Sequence, residues 1–113
     1  MKLTIDRNVW LRGEGASASC LLREVDGKRC CLGIYLQACG VRDEELGYSE
    51  SPEKIQHLPN QAQWLIEPTT YTDTGDTCNL MERNDIREIG EDEREEKIAS
   101  IFAKHNVEVE FIN

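Results

Sequence analysis

Two adjacent cysteines, Cys30 and Cys31, stand where an apolar run begins. At a helix N-terminus the macrodipole lowers a thiol pKa, so either one is a candidate nucleophile. A nucleophile of this kind needs a base, and the only histidines are His57 and His105. His105 falls on an apolar stripe at the end of a predicted helix, where packing or capping accounts for it, and His57 beside Leu58-Pro59 reads as a surface or helix-end residue. The set for a cysteine-dependent enzyme is therefore incomplete, and no catalytic residue is assigned. Zinc fits no better: structural sites use spaced pairs such as Cys-x-x-Cys, whereas neighbours on a helix diverge by about 100°. No metal ligand and no cofactor is assigned. The five cysteines, Cys20, Cys30, Cys31, Cys39 and Cys78, are an odd number in a chain whose start lacks the apolar core of a secretory signal, and they read as free, mostly buried thiols in a cytoplasmic protein.

A second chemistry is capture of an anion. Arg12 and Arg29 could meet an anionic ligand at the mouth of a pocket formed by the polar loop Glu67 to Asp76 and the Asn84-Asp85 turn, which would make the chain a small-ligand or nucleotide-binding module. The sequence Gly13-Glu14-Gly15 is too sparse for a phosphate loop and reads as a turn. Each Arg is otherwise a solvated side chain, and Asn84-Asp85 a local cap or turn.

The third chemistry is electrostatic docking. The formal net charge is −9, which argues against a nucleic-acid surface because neutralising phosphates takes clustered Lys and Arg. Glu91, Asp92, Glu93, Glu95 and Glu96 crowd the first turns of a helix. Some of that charge complements the helix N-terminus, and the rest either maintains solubility or, at Glu93, Glu95 and Glu96, forms part of a docking face for a host protein with a basic surface.

The elements that must position these residues follow from patterning. A chain of 113 residues suits one domain with one modest core. With 39% hydrophobic and 31% charged residues it is neither disordered nor membrane-embedded by composition, and no apolar stretch approaches the roughly 20 residues that span a bilayer. Leu3 and Ile5 alternate with Lys2 and Thr4, and Val107, Val109 and Phe111 alternate with Glu108 and Glu110, which predicts a half-buried strand at each end, with Lys2 near Glu108 or Glu110 if the two are neighbours. Asp6 caps a short helical turn over Arg7 to Leu11, and Ser19 to Val25 is a further predicted strand. From Cys31 to Cys39 the helix is apolar nearly all round, with Leu32, Leu36 and Cys39 inaccessible, Gly40 as its left-handed stop and Gly33 explained by close approach of another backbone. Ser51-Pro52 starts a short helical piece that Leu58-Pro59 ends, and Trp64-Leu65-Ile66 forms a second apolar knot. Glu91 to His105 is a helix with Ile98, Ile101, Phe102 and His105 on one stripe, ended by Asn106. The expected fold is α+β: a small, mainly antiparallel sheet including both terminal strands, packed against the buried central helix and the C-terminal helix.

The ordered set Gly27-Lys28-Arg29-Cys30-Cys31-Leu32-Gly33-Ile34, Leu58-Pro59, Trp64-Leu65 and Leu80-Met81-Glu82-Arg83-Asn84-Asp85 resembles a family of small uncharacterised phage and prophage proteins. These carry a CCLG helix, an LP…WL segment and a late LM…ND motif in the same order. The resemblance runs from Leu21 onward and implies a phage or prophage origin. Tyr35 and Leu36 stand where many relatives place another Cys, which argues against a shared thiol site. Small acidic phage accessory proteins often bind host proteins, inhibitors of bacterial immunity among them. The expected function is accordingly that of a non-enzymatic accessory protein that binds and modulates a host protein, with anti-defence, anti-CRISPR-like inhibition as its sharpest form.

Overall fold

The computed structural model describes residues 1–47 and 51–113. Its elements in chain order are β1 (Lys2–Asp6), α1 (Cys31–Ala38), α2 (Asp43–Leu46), α3 (Asp76–Asp85), α4 (Glu91–Ala103) and β2 (Glu108–Ile112), with 3-10 segments at Gly15–Ala18, Pro52–Lys54 and Asn60–Ile66. The fold is α+β, as the patterning predicts. No helix of the described residues is long and apolar enough to cross a membrane.

β1 and β2 form a two-stranded sheet, and it is parallel rather than antiparallel. Period-two alternation reports which face of a strand is buried and is blind to strand direction. Here Leu3 lies opposite Val109 and Ile5 opposite Phe111 on the core face, while Lys2 and Thr4 lie opposite Glu108 and Glu110 on the outer face. Direction comes from the connection, because a parallel pair needs a long crossover. Almost the whole chain supplies it: all four helices lie between the two strands. After α4 the chain turns at Asn106, whose φ of 62° is left-handed, and enters β2 alongside β1. The expected Lys2 contact is present, with Nζ 2.9 Å from Glu110.

α1 is the buried centre. Cys31, Leu32, Gly33, Ile34, Tyr35 and Leu36 are all buried, and Gly40 closes the helix end with φ 99°. Cys39 is only half-buried, because the last turn of α1 emerges from the core together with exposed Ala38. Gly33 has the backbone neighbour its presence implied. A Cβ there would lie 1.9 Å from the carbonyl oxygen of Leu21. That contact fixes the segment predicted as a strand, Ser19 to Val25, which is instead a turn: Arg23 Nη2 holds Asp26 at 2.6 Å, and Arg23 N donates to Lys28 O at 2.7 Å. Two cation-to-carboxylate contacts and the amide of Lys28 lower the Asp26 carboxyl to about 2, the Arg23 hydrogen bond being the largest cause.

Residues 7 to 11 form a turn and a single bridge rather than helix. Asn8 N donates to Asp6 Oδ1 at 2.9 Å, and the backbone at Val9 and Leu11 pairs with Arg29. The Leu80 to Asp85 motif is helical throughout, forming the second half of α3. α4 ends at Ala103, two residues short of His105. α3 and α4 pack as an antiparallel hairpin, with Arg94 reaching the carbonyls at the end of α3 and His105 reaching Asp76 at its start.

Candidate functional site

Burial pushes the Cys30 thiol up to about 12, against weaker opposing hydrogen bonds from the amides of Gly33 and Leu32. Burial also holds Cys31 well above the ordinary thiol value. Cys39 and Cys78 are raised by the same cause. A thiolate nucleophile needs the opposite shift. The amides of the helix N-terminus offset burial only in part at Cys30, and the Cys31 amide donates instead to Asn84 Oδ1 at 3.0 Å. Among the described residues no group of three or more His, Cys, Asp or Glu side chains is placed to hold a metal ion.

Asn84 is the centre of a buried polar network. Its Oδ1 accepts from Trp10 Nε1 at 2.8 Å as well as from Cys31 N, which uses both lone pairs. Its Nδ2 donates to Leu11 O at 3.1 Å and Asp85 Oδ1 at 3.0 Å, with Ala18 O at 3.4 Å. The residue is fully buried. Asn84 therefore caps a helix, but α1 rather than its own, and ties α3 to the chain at Trp10 and Leu11. Asp85, half-buried beside it, has its carboxyl raised by burial despite hydrogen bonds with Asn84 and Ser19.

Arg94 completes this end of the hairpin. Although charged, it is 1% exposed, and its Nη1 donates to Arg83 O at 2.7 Å and Asn84 O at 3.1 Å. These are last-turn carbonyls of α3, which a guanidinium satisfies well. Its Nε stands 3.5 Å from Glu91, an ion pair without a hydrogen bond. The sequence carried a signal for it, because Arg94 lies four residues before Ile98 on the stripe that runs to Ile101, Phe102 and His105.

The residues expected to receive an anion are thus taken up internally. Arg12 lies over the Trp10 ring at 4.4 Å, donates to Trp10 O at 3.0 Å and holds Glu91 at 3.0 Å. Arg29 is buried and pairs through Nη2 with Asp43 at 2.9 Å, while its buried Nη1 has no hydrogen-bond partner. Neither the groove lined by Asn79, Arg83, Lys97, Ser100, Ile101 and Lys104 nor the one lined by Met1, Lys2, Ala103, Asn106, Val107 and Glu108 includes Arg12, Arg29, Asn84 or Asp85. The Glu67 to Asp76 loop is a series of turns closed by Thr77 N donating to Thr70 O at 3.1 Å.

The acidic turns of α4 divide into two sets. Glu95 is gripped by Arg7, with Nε and Nη2 each 2.7 Å from a carboxylate oxygen, and Glu91 is held by Arg12 and Arg94. Asp92, Glu93 and Glu96 point to solvent. Glu93 has Lys97 at 3.9 Å, and no cation of the described residues lies within 4 Å of Asp92 or Glu96. Of the residues expected on a docking face, Glu96 is exposed, Glu93 is exposed beside Lys97 and Glu95 is held by Arg7, while the neighbouring Asp92 is exposed like Glu96.

Compared with protein-family models, curated proteins and solved structures, the chain matches none.

Proposed function

We propose that the chain is a non-enzymatic phage accessory protein that binds and modulates a host protein in the host cytoplasm, through a basic surface on that partner. Inhibition of a host defence system, CRISPR immunity included, is the sharpest form of this reading. The observation that carries it is the division of carboxylates on α4. Arg7 and Arg12 neutralise Glu95 and Glu91, while Asp92, Glu93 and Glu96 are left as one exposed acidic face on a rigid helix. Such a face steers association with a positive patch and gives it a salt-dependent rate. The raised thiols weigh against the cysteine-enzyme alternative, and the internal contacts of Arg12, Arg29, Asn84 and Asp85 weigh against a ligand pocket built from those residues. The phage origin rests on the ordered CCLG, LP…WL and LM…ND motifs.

The test is a triple reversal, Asp92→Lys, Glu93→Lys and Glu96→Lys, which leaves the Arg7–Glu95 and Arg12–Glu91 pairs in place. A host protein retained by the parent should associate several-fold more slowly with the variant, and the gap should narrow as salt rises. Equal association rates at low salt would place the contact surface elsewhere.

A further inference from the structure

α3 and α4 enclose an open groove of about 220 Å³ lined by Asn79 and Arg83 from one side and Lys97, Ser100, Ile101 and Lys104 from the other. The spacings explain the lining. Residues 79 and 83 are one turn apart, and 97, 100–101 and 104 step along one face of α4 and its C-terminal cap. Three cations thus share a single groove in a chain of net charge −9.

Several cations elsewhere are held more tightly, Arg42 and Arg94 with carboxylates at 3.8 and 3.5 Å excepted. Lys2, Arg7, Arg12, Arg23 and Arg29 hold carboxylates at 2.9, 2.7, 3.0, 2.6 and 2.9 Å. Arg83, Lys97 and Lys104 have only Glu82 at 4.0 Å, Glu93 at 3.9 Å and Asp76 at 3.5 Å. Each of these three remains available to a better acceptor.

We infer that this groove binds a compact phosphate-bearing anion. Arg83 offers a planar guanidinium fork suited to two phosphate oxygens, and Lys97 and Lys104 supply point charges. The Asn79 amide and the Ser100 hydroxyl add neutral donors. At about 220 Å³ the groove is smaller than the roughly 300–1,000 Å³ of clefts that take drug-sized ligands, which fits a phosphate or diphosphate group. The negative field of the rest of the chain opposes an extended polyanion such as a nucleic-acid strand. The groove meets the acidic face at Lys97, 3.9 Å from Glu93, so Arg83→Gln by itself tests the groove without disturbing that face.

Inorganic pyrophosphate titrated into the full chain at constant ionic strength, followed by backbone amide NMR, tests the assignment. Saturable shifts should concentrate at residues 79, 83, 97, 100 and 104. The double variant Arg83→Gln with Lys97→Gln should bind at least tenfold more weakly. Ser100→Asp, at an exposed position, should abolish the shifts while leaving the thermal midpoint in place, and Lys54→Gln, an exposed cation outside the groove, should bind like the parent. Shifts scattered over the surface, or the same loss in Lys54→Gln, would overturn the site. Succinate binding as tightly as pyrophosphate would overturn the phosphate assignment, and tighter binding of a 5′-phosphorylated trinucleotide would overturn the compact-anion assignment.

Discussion

At one end of the α3–α4 hairpin Asn84 and Arg94 are sealed from solvent, and every side-chain hydrogen-bonding position of Asn84 is filled. At the other end the closure is open to water. His105 Nε2 meets Asp76 at 2.9 Å, both side chains about one-fifth exposed, and its ring stacks on Trp64 with centroids 3.7 Å apart. Trp64 Nε1 then donates to Tyr35 Oη at 3.0 Å, and Tyr35 donates to Gln61 O at 2.6 Å. Both ends join α3, α4 and α1 through polar groups. They differ in what happens when a partner is lost: inside, an orphaned donor has no water to turn to, whereas at the open end solvent replaces it.

The largest expected effect therefore lies at the sealed end. Asn84→Ala leaves Trp10 Nε1, Cys31 N and Leu11 O without their buried partner, each worth about 1–3 kcal/mol. A total of about 3 kcal/mol or more is a large share of the stability of a domain this size. Chemical denaturation should show a much lower midpoint or no cooperative transition. A variant within about 1 kcal/mol of the parent would mean that water or a rearranged side chain reaches this network, and the contrast between the two ends would collapse.

The open end should be softer. His105→Ala removes the stack on Trp64 and the Asp76 contact, which together amount to about 1 kcal/mol, given about 0.5–1.5 for an aromatic pair and about 0.5 for a hydrogen bond open to water. His105→Phe sharpens the comparison, since it keeps a ring for Trp64 and loses only the partner of Asp76. Near-parental thermal stability in His105→Phe, beside a drop in His105→Ala, would assign the contribution to stacking. Equal losses in both would assign it to the Asp76 contact.

The difference between the ends also separates what sequence makes legible from what it does not. α1 is readable because a helix apolar all round has to be central, and Gly33 announced the backbone of Leu21. Both terminal strands are readable from alternation, yet their parallel direction is set by the path of the intervening chain. The role of Asn84 was hidden because its partners Trp10 and Cys31 lie 74 and 53 residues away. Read locally, Asn84-Asp85 is a turn former; in the fold Asn84 caps a distant helix. The exposed carboxylates of α4 are half legible. Helical spacing places Glu91 to Glu96 on one helix, but only the folding of Arg7 and Arg12 against it shows which of them are already neutralised. Arg94 is the missed clue, a charge on the apolar stripe whose local carboxylate, Glu91, reaches it only at 3.5 Å.

The smallest effect sets the two carboxyls of α3 against each other. Asp76, at the first turn, is lowered chiefly by its hydrogen bond to His105, with Lys104 adding to it and the helix N-terminus favouring charge there. Asp85, at the last residue, is raised by burial. A depressed carboxyl contributes stability that is present above the ordinary carboxylate value and lost as pH falls through its lowered one. A raised carboxyl does the reverse: between the ordinary value and the raised one the folded state keeps the extra proton, so stability falls as pH rises through that window and the penalty is complete above it. Asp76→Asn should therefore lower the thermal midpoint at pH 7 and converge on the parent in acid. Asp85→Asn, which preserves an acceptor for the Asn84 amide, should raise the midpoint at pH 7 and lose that advantage once Asp85 is protonated in the parent. Each effect is about 0.5 kcal/mol, within the range of a half-exposed charge interaction. Thermal melts of both variants from pH 3 to pH 8 should diverge from the parent in opposite directions as pH rises. Curves displaced in the same direction would show that the two ends of α3 do not differ electrostatically in this way.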